Sequence, residues 1–76
     1  MSETLLDLRG LRCPWPAIRV ARAIRETVGD AVILAVADDP IAPREIGAVA
    51  QERGWAVAEV ATPIGVGLRL SATYKT

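Results

Sequence analysis

Cys13 is the only cysteine of the chain and stands in the run RGLRCPWPAIRV, directly before Pro14 and three residues before Pro16. A thiol is a strong nucleophile once ionised, and the groups beside it decide what it can do. The chain has no histidine, which excludes a Cys-His hydrolase, and no second thiol, which excludes a CxxC dithiol or an internal resolving cysteine. A metal site built from Cys and His needs several such ligands where this sequence offers one, so neither a metal nor a cofactor is expected. Two readings stay open on the residues alone. Cys13 is a small buried hydrophobe, the usual state of a lone cysteine in a reducing compartment. Otherwise it is an accessible thiol that holds a group and hands it to a partner.

The prolines place this thiol at a helix start. The first four N–H groups of a helix have no intrahelical acceptor, so proline forfeits nothing there; with Cys13 as N-cap, Pro14 falls at N1 and Pro16 at N3. A residue before proline is pushed out of the α region, which makes Cys13 extended, Trp15 uneasy in a helix and Pro16 an alternative start. The positive end of the helix dipole favours a thiolate, and Arg9, Arg12, Arg19, Arg22 and Arg25 add charge with no acid between Leu8 and Arg25. Pro16 lacks an N–H, which leaves Trp15 as the direct backbone donor to the cap. A moderate lowering of the Cys13 pKa from about 8.5 is therefore expected, with the thiol exposed at or just before the first turn.

Around this point the periodicities predict six elements. LLDLRG alternates as a half-buried strand, with Leu6 and Leu8 against Asp7 and Arg9, and ends at Gly10. Between Pro14 and Val28, Ala17, Val20, Ala21, Ile24 and Val28 recur at helical spacing opposite Arg19, Arg22 and Glu26, and Gly29 closes the helix at C′. The apolar run Ala31 to Ala37 reads as a central strand. In DDPIAPREIGAVAQERG, Asp38 and Asp39 read as turn or N-cap residues without chemistry, followed by a helix carrying Ile46, Val49 and Ala50 up to Gly54. Val57 to Ala61 reads as a third strand, TPIGVG as a hairpin loop, and Leu68, Leu70, Ala72 and Tyr74 as the inward side of a fourth strand. Trp55 reads as core, whereas Trp15 suits either a partner contact or a cap on the core. The order β-α-β-α-β-β predicts a two-layer α/β (α+β) sandwich, a four-stranded mixed sheet with both helices on one face.

Composition narrows the function classes. Seventy-six residues suit one small domain over 1–76, and 51% apolar content suffices for its core. Nine Lys plus Arg balance nine Asp plus Glu, so no overall charge draws the chain to nucleic acid, and direct DNA binding is not expected. The longest uncharged run, Val60 to Leu68, is broken by Pro63, Gly65 and Gly67 and is far shorter than the roughly 20 residues of a membrane helix. With one cysteine and no visible leader, a soluble cytoplasmic protein without membrane insertion is expected.

The run LDLRGLRCPWP, Leu6 to Pro16, resembles the CPxP signature of the TusA/SirA-like family of small sulfur-carrier proteins. ADDP at Ala37 to Pro40, followed by REI at Arg44 to Ile46, resembles that family's second landmark, and the likeness covers nearly the whole chain in length and element order. It implies that Cys13 carries sulfane sulfur as a persulfide, received from a cysteine desulfurase or rhodanese-like donor and relayed to an acceptor protein. Pro14 and Pro16 would hold the cysteine loop, on a two-layer sandwich. Relatives serve tRNA thiolation, molybdenum cofactor synthesis, sulfur oxidation, or thiosulfate uptake beside a membrane permease. Many tRNA-thiolation relatives have an acid where Trp15 stands, some carry a further cysteine at the position of Ala50, and Glu45 replaces a usual aspartate.

The expectation is thus a carrier with sulfurtransferase-type activity, with Arg12, Trp15, Arg19 and Arg22 as candidate docking residues for acidic relay partners. The rival is a small regulatory or RNA- or protein-binding module with an inert cysteine, against which stand the balanced charge and the lack of stacking aromatics other than Tyr74 on the fourth strand.

Overall fold

The computed structural model describes residues 2–27 and 31–72. Strand β1 (Ser2–Asp7), helix α1 (Trp15–Glu26), β2 (Ala31–Val36), α2 (Ala42–Glu52), β3 (Trp55–Thr62) and β4 (Gly65–Ala72) follow in the expected order. The sheet order is β1-β2-β4-β3, with β1 and β2 parallel and the other neighbours antiparallel. The parallel pair needs a crossover, which α1 supplies; α2 carries the chain from β2 past β4 to the far edge.

Period-two alternation along β2 and β4 sends Ile33, Ala35 and Leu70 to the helical side, where they meet Val20 and Ile24 of α1 and Ala42, Ile46 and Ala50 of α2. Both helices lie on that one face, and Leu8, fully buried, closes the core between them and the sheet. Trp55, which reads as core in the sequence, begins β3 and packs half-buried against this core. On the other face Leu5 lies beside Leu34 and is 43% exposed, and no further element covers it among the described residues.

The boundaries depart from expectation in instructive ways. β1 begins earlier and stops at Asp7; Leu8, one step beyond, keeps the inward side of Leu6 and enters the core, and its N–H reaches the Val36 carbonyl at 2.7 Å. The hairpin turn is only Pro63 and Ile64: the Thr62 hydroxyl donates to the Gly65 carbonyl at 2.5 Å, which lets Gly65 to Gly67 join β4. Neither aspartate caps α2, whose N-cap is Ile41. The expected Val28 and Gly29 helix end and Tyr74 lie outside the described residues.

Candidate functional site

Because β1 and β2 are parallel neighbours, the loops that follow them emerge side by side at their carboxyl ends, the position where open α/β sheets place ligands. The first loop, 8–14, delivers Cys13 to α1; the second, 37–41, delivers Asp38 and Asp39 to α2. Gly10 takes φ +85°, a left-handed turn that glycine adopts without penalty, and its N–H donates to Asp38 Oδ1 at 3.0 Å. The Cys13 N–H donates to Asp39 Oδ2 at 2.9 Å, while Asp39 Oδ1 accepts the Ile41 N–H at 3.0 Å. Asp39 thus makes its own turn, as expected of Asp before Pro, and also pins the neighbouring loop. That second duty was invisible in the local pattern. The two N–H bonds lower the Asp39 pKa, the one from Ile41 most and that from Cys13 next.

Cys13 is exposed and sits one residue before the N-cap of α1. The N-cap is Pro14, not Cys13, so Trp15 takes N1 and Pro16 N2. Trp15 is helical despite preceding a proline: its N–H closes a turn onto the Arg12 carbonyl at 2.8 Å, and Pro16 is buried in the core. The same turn removes the backbone donor that was to stabilise a thiolate. Instead the Cys13 thiol itself donates to Glu45 Oε2 at 3.1 Å, from the first turn of α2. The expected lowering of the thiol pKa is therefore reversed: the hydrogen bond to Glu45, then desolvation, then the negative charges of Glu45 and Asp39 push it up.

The arginine cluster is also less one-sided than the sequence implied. Arg9 forms a two-point pair with Asp7 at 2.8 Å, which holds the Asp7 carboxyl at about 2, and Arg22 pairs with Glu26 at 3.2 Å. Arg12 acts on Asp39 and lines a cleft of about 390 Å³ between the two loops, with Gly10, Leu11, Asp38, Asp39 and Pro40. Trp15 is 58% exposed beside the thiol, and Arg19 and Arg22 are exposed along α1. Sequence reasoning missed Glu45 as a neighbour of the thiol. The signals were an acid in the first turn of the helix that follows the Asp38–Asp39 loop and the place of Glu45 in the REI landmark, neither of which locates it beside Cys13.

An exposed thiol before a proline-started helix, with both flanking loops tied by aspartates, is the arrangement against which known proteins can be compared. A family model described as Sulfurtransferase TusA matches residues 4–69. The chain belongs to the TusA sulfurtransferase family. The Sulfur carrier protein TusA of Buchnera aphidicola subsp. Baizongia pistaciae is 41% identical over 46 residues, which are 60% of this chain and 58% of that protein. The alignment thus spans less than two thirds of that relative of the TusA family. The crystal structure of a SirA-like protein from Desulfitobacterium hafniense superimposes with a TM-score of 0.72 at 24% identity, over 93% of this chain and 99% of the other, and shows the same fold. No helix among the described residues is long and apolar enough to cross a membrane.

Proposed function

We propose that this TusA-family chain is a sulfur carrier, in which Cys13 receives sulfane sulfur as a persulfide and relays it from a donor protein to an acceptor protein. The observation that carries the reading is the exposed Cys13 thiol on a loop anchored through its own N–H, in a chain of this family. A carrier must present one sulfur to two different active sites, so exposure on a defined loop serves it and burial would not. Pro14 and Pro16 stiffen the loop, one at the N-cap and the other locked in the core. Donors of the cysteine desulfurase or rhodanese-like class fit this exchange chemistry, in a reducing cytoplasm. Trp15 supplies an apolar anchor beside the thiol, and Arg12, Arg19 and Arg22 supply charge for docking.

Incubation with a cysteine desulfurase and cysteine should add the mass of one sulfur atom to the protein, removable by dithiothreitol, and Cys13→Ser should fold and gain nothing. Mass spectrometry of intact protein decides it. Sulfur retained on Cys13→Ser would sink the assignment.

A further inference from the structure

Sulfur transfer to a thiol needs a proton acceptor and a proton donor as well as a nucleophile. With no histidine in the chain, a carboxylate within reach of Sγ is the group to consider. Glu45 Oε2 accepts the Cys13 thiol proton at 3.1 Å. Its other oxygen, Oε1, is buried and has no hydrogen-bond partner among the described residues, so neither oxygen is tied down by a competing protein donor. Asp39, the other carboxylate of the cradle, is instead committed to two backbone N–H groups and influenced by Arg12. The division of labour between the two acids is geometric: Asp39 holds the loop and Glu45 faces the sulfur.

We propose that Glu45 is the proton-transfer partner of Cys13 during sulfur loading, a role that rests on the sulfur-carrier reading above. As Cys13 Sγ attacks the outer sulfur of a donor persulfide R–S–SH, its proton passes to Glu45 Oε2. The new Sγ–S bond forms as the R–S to outer-sulfur bond breaks, the electron pair leaves on the donor sulfur as R–S⁻, and Glu45 returns the proton to it. The sum is Cys13–SH plus R–S–SH giving Cys13–S–SH plus R–SH, with no net oxidation and no co-reactant. Loading also replaces the hydrogen on Sγ by sulfur, so the bond from Sγ to Glu45 is lost, and once the Cys13–S–SH group releases its proton to water the Glu45 carboxylate faces the anion Cys13–S–S⁻. The loaded state is thereby biased toward release, while the empty thiol is held protonated.

Two electrophiles separate this role from a mere neighbouring charge. Iodoacetamide expels iodide, which needs no proton; glutathione persulfide expels a thiolate, which does. In Glu45→Gln the repelling charge is gone, so alkylation of Cys13 at neutral pH should become several-fold faster and its pH midpoint should fall. Loading from glutathione persulfide, followed by intact mass, should become at least about tenfold slower, at the low end of what general acid–base groups contribute. Glu45→Asp keeps the charge but shortens the reach, so its alkylation should stay near that of the unmodified protein while its loading slows; this second variant carries the comparison if Glu45→Gln does not fold. Alkylation and loading rising together in Glu45→Gln, or unchanged loading in Glu45→Asp, would overturn the proposal. Failure of the unmodified protein to load at all would instead refute the carrier reading, since the alkylation comparison stands without it.

Discussion

At the scale of single residues, the site is an exchange of partners between two loops. Asp39 receives N–H groups from Cys13 and Ile41 on its two oxygens, and so fixes Cys13 relative to α2, on which Glu45 rides. Replacing it by alanine orphans both donors and frees the cysteine loop. Asp39→Ala should lower the melting temperature by a few degrees and should also slow persulfide loading, measured on the folded protein below its transition. Asp39→Asn keeps oxygen and nitrogen in place of two acceptors, and should restore only one of the two bonds. An Asp39→Ala protein that loads as fast as the unmodified chain would show that the loop positions Cys13 without this anchor.

At the scale of elements, close approach between strands and charge along α1 carry the argument. Gly67 of β4 is buried against the end of β2: a Cβ there would lie 2.5 Å from the Ala35 carbonyl oxygen and 2.9 Å from Val36 Cγ2. A backbone carbonyl cannot rotate away as a side chain can, so the strands must part. Gly67→Ala should destabilise the fold by about 1–3 kcal/mol, the usual cost of overpacking, read by urea unfolding. The strain falls on the segment leading into Asp38 and Asp39, so loading should suffer too. Along α1, Arg19 and Arg22 are exposed on the face opposite buried Val20 and Ile24. Reversing both to Glu should leave the melting curve little changed but slow sulfur transfer from an acidic donor protein. The difference should shrink with added salt, since exposed charges are screened beyond about 10 Å at 0.1 M. Transfer rates indifferent to reversal and to ionic strength would reduce these arginines to a solvated helix face.

For the whole molecule, pH stability reports the same contacts. The carboxyls of Asp7 and Asp39 titrate lower in the folded chain than unfolded, because Arg9 and two backbone N–H groups favour their charged forms. Their stabilisation is complete above the unfolded value of about 3.9 and is lost as pH falls through the folded values, down to about 2 for Asp7. Cys13 has the opposite sense: raised in the folded state, it contributes below the ordinary thiol value of about 8.5 and loses that contribution as pH rises through its folded value. Thermal melts across pH should therefore weaken at both ends. Cys13→Ser should flatten the alkaline limb alone, and an alkaline limb unchanged by that substitution would place the loss in other groups.

The local physics of the chain determined the elements and the exposed thiol at the start of the first helix. Period-two and helical spacing located six elements in order, and the paired prolines with Cys13 marked the loop; these depend on neighbours within a few residues, which a sequence displays directly. Strand order, the identity of the thiol's partner and the sign of its pKa shift were decided only by tertiary structure. Cys13 and Glu45 are 32 residues apart, and Cys13 and Asp39 26 apart, so nothing in either local pattern reports their meeting. Parallel pairing of β1 with β2 brings their carboxyl ends together, and that alone converts a basic stretch of sequence into a thiol facing two acids.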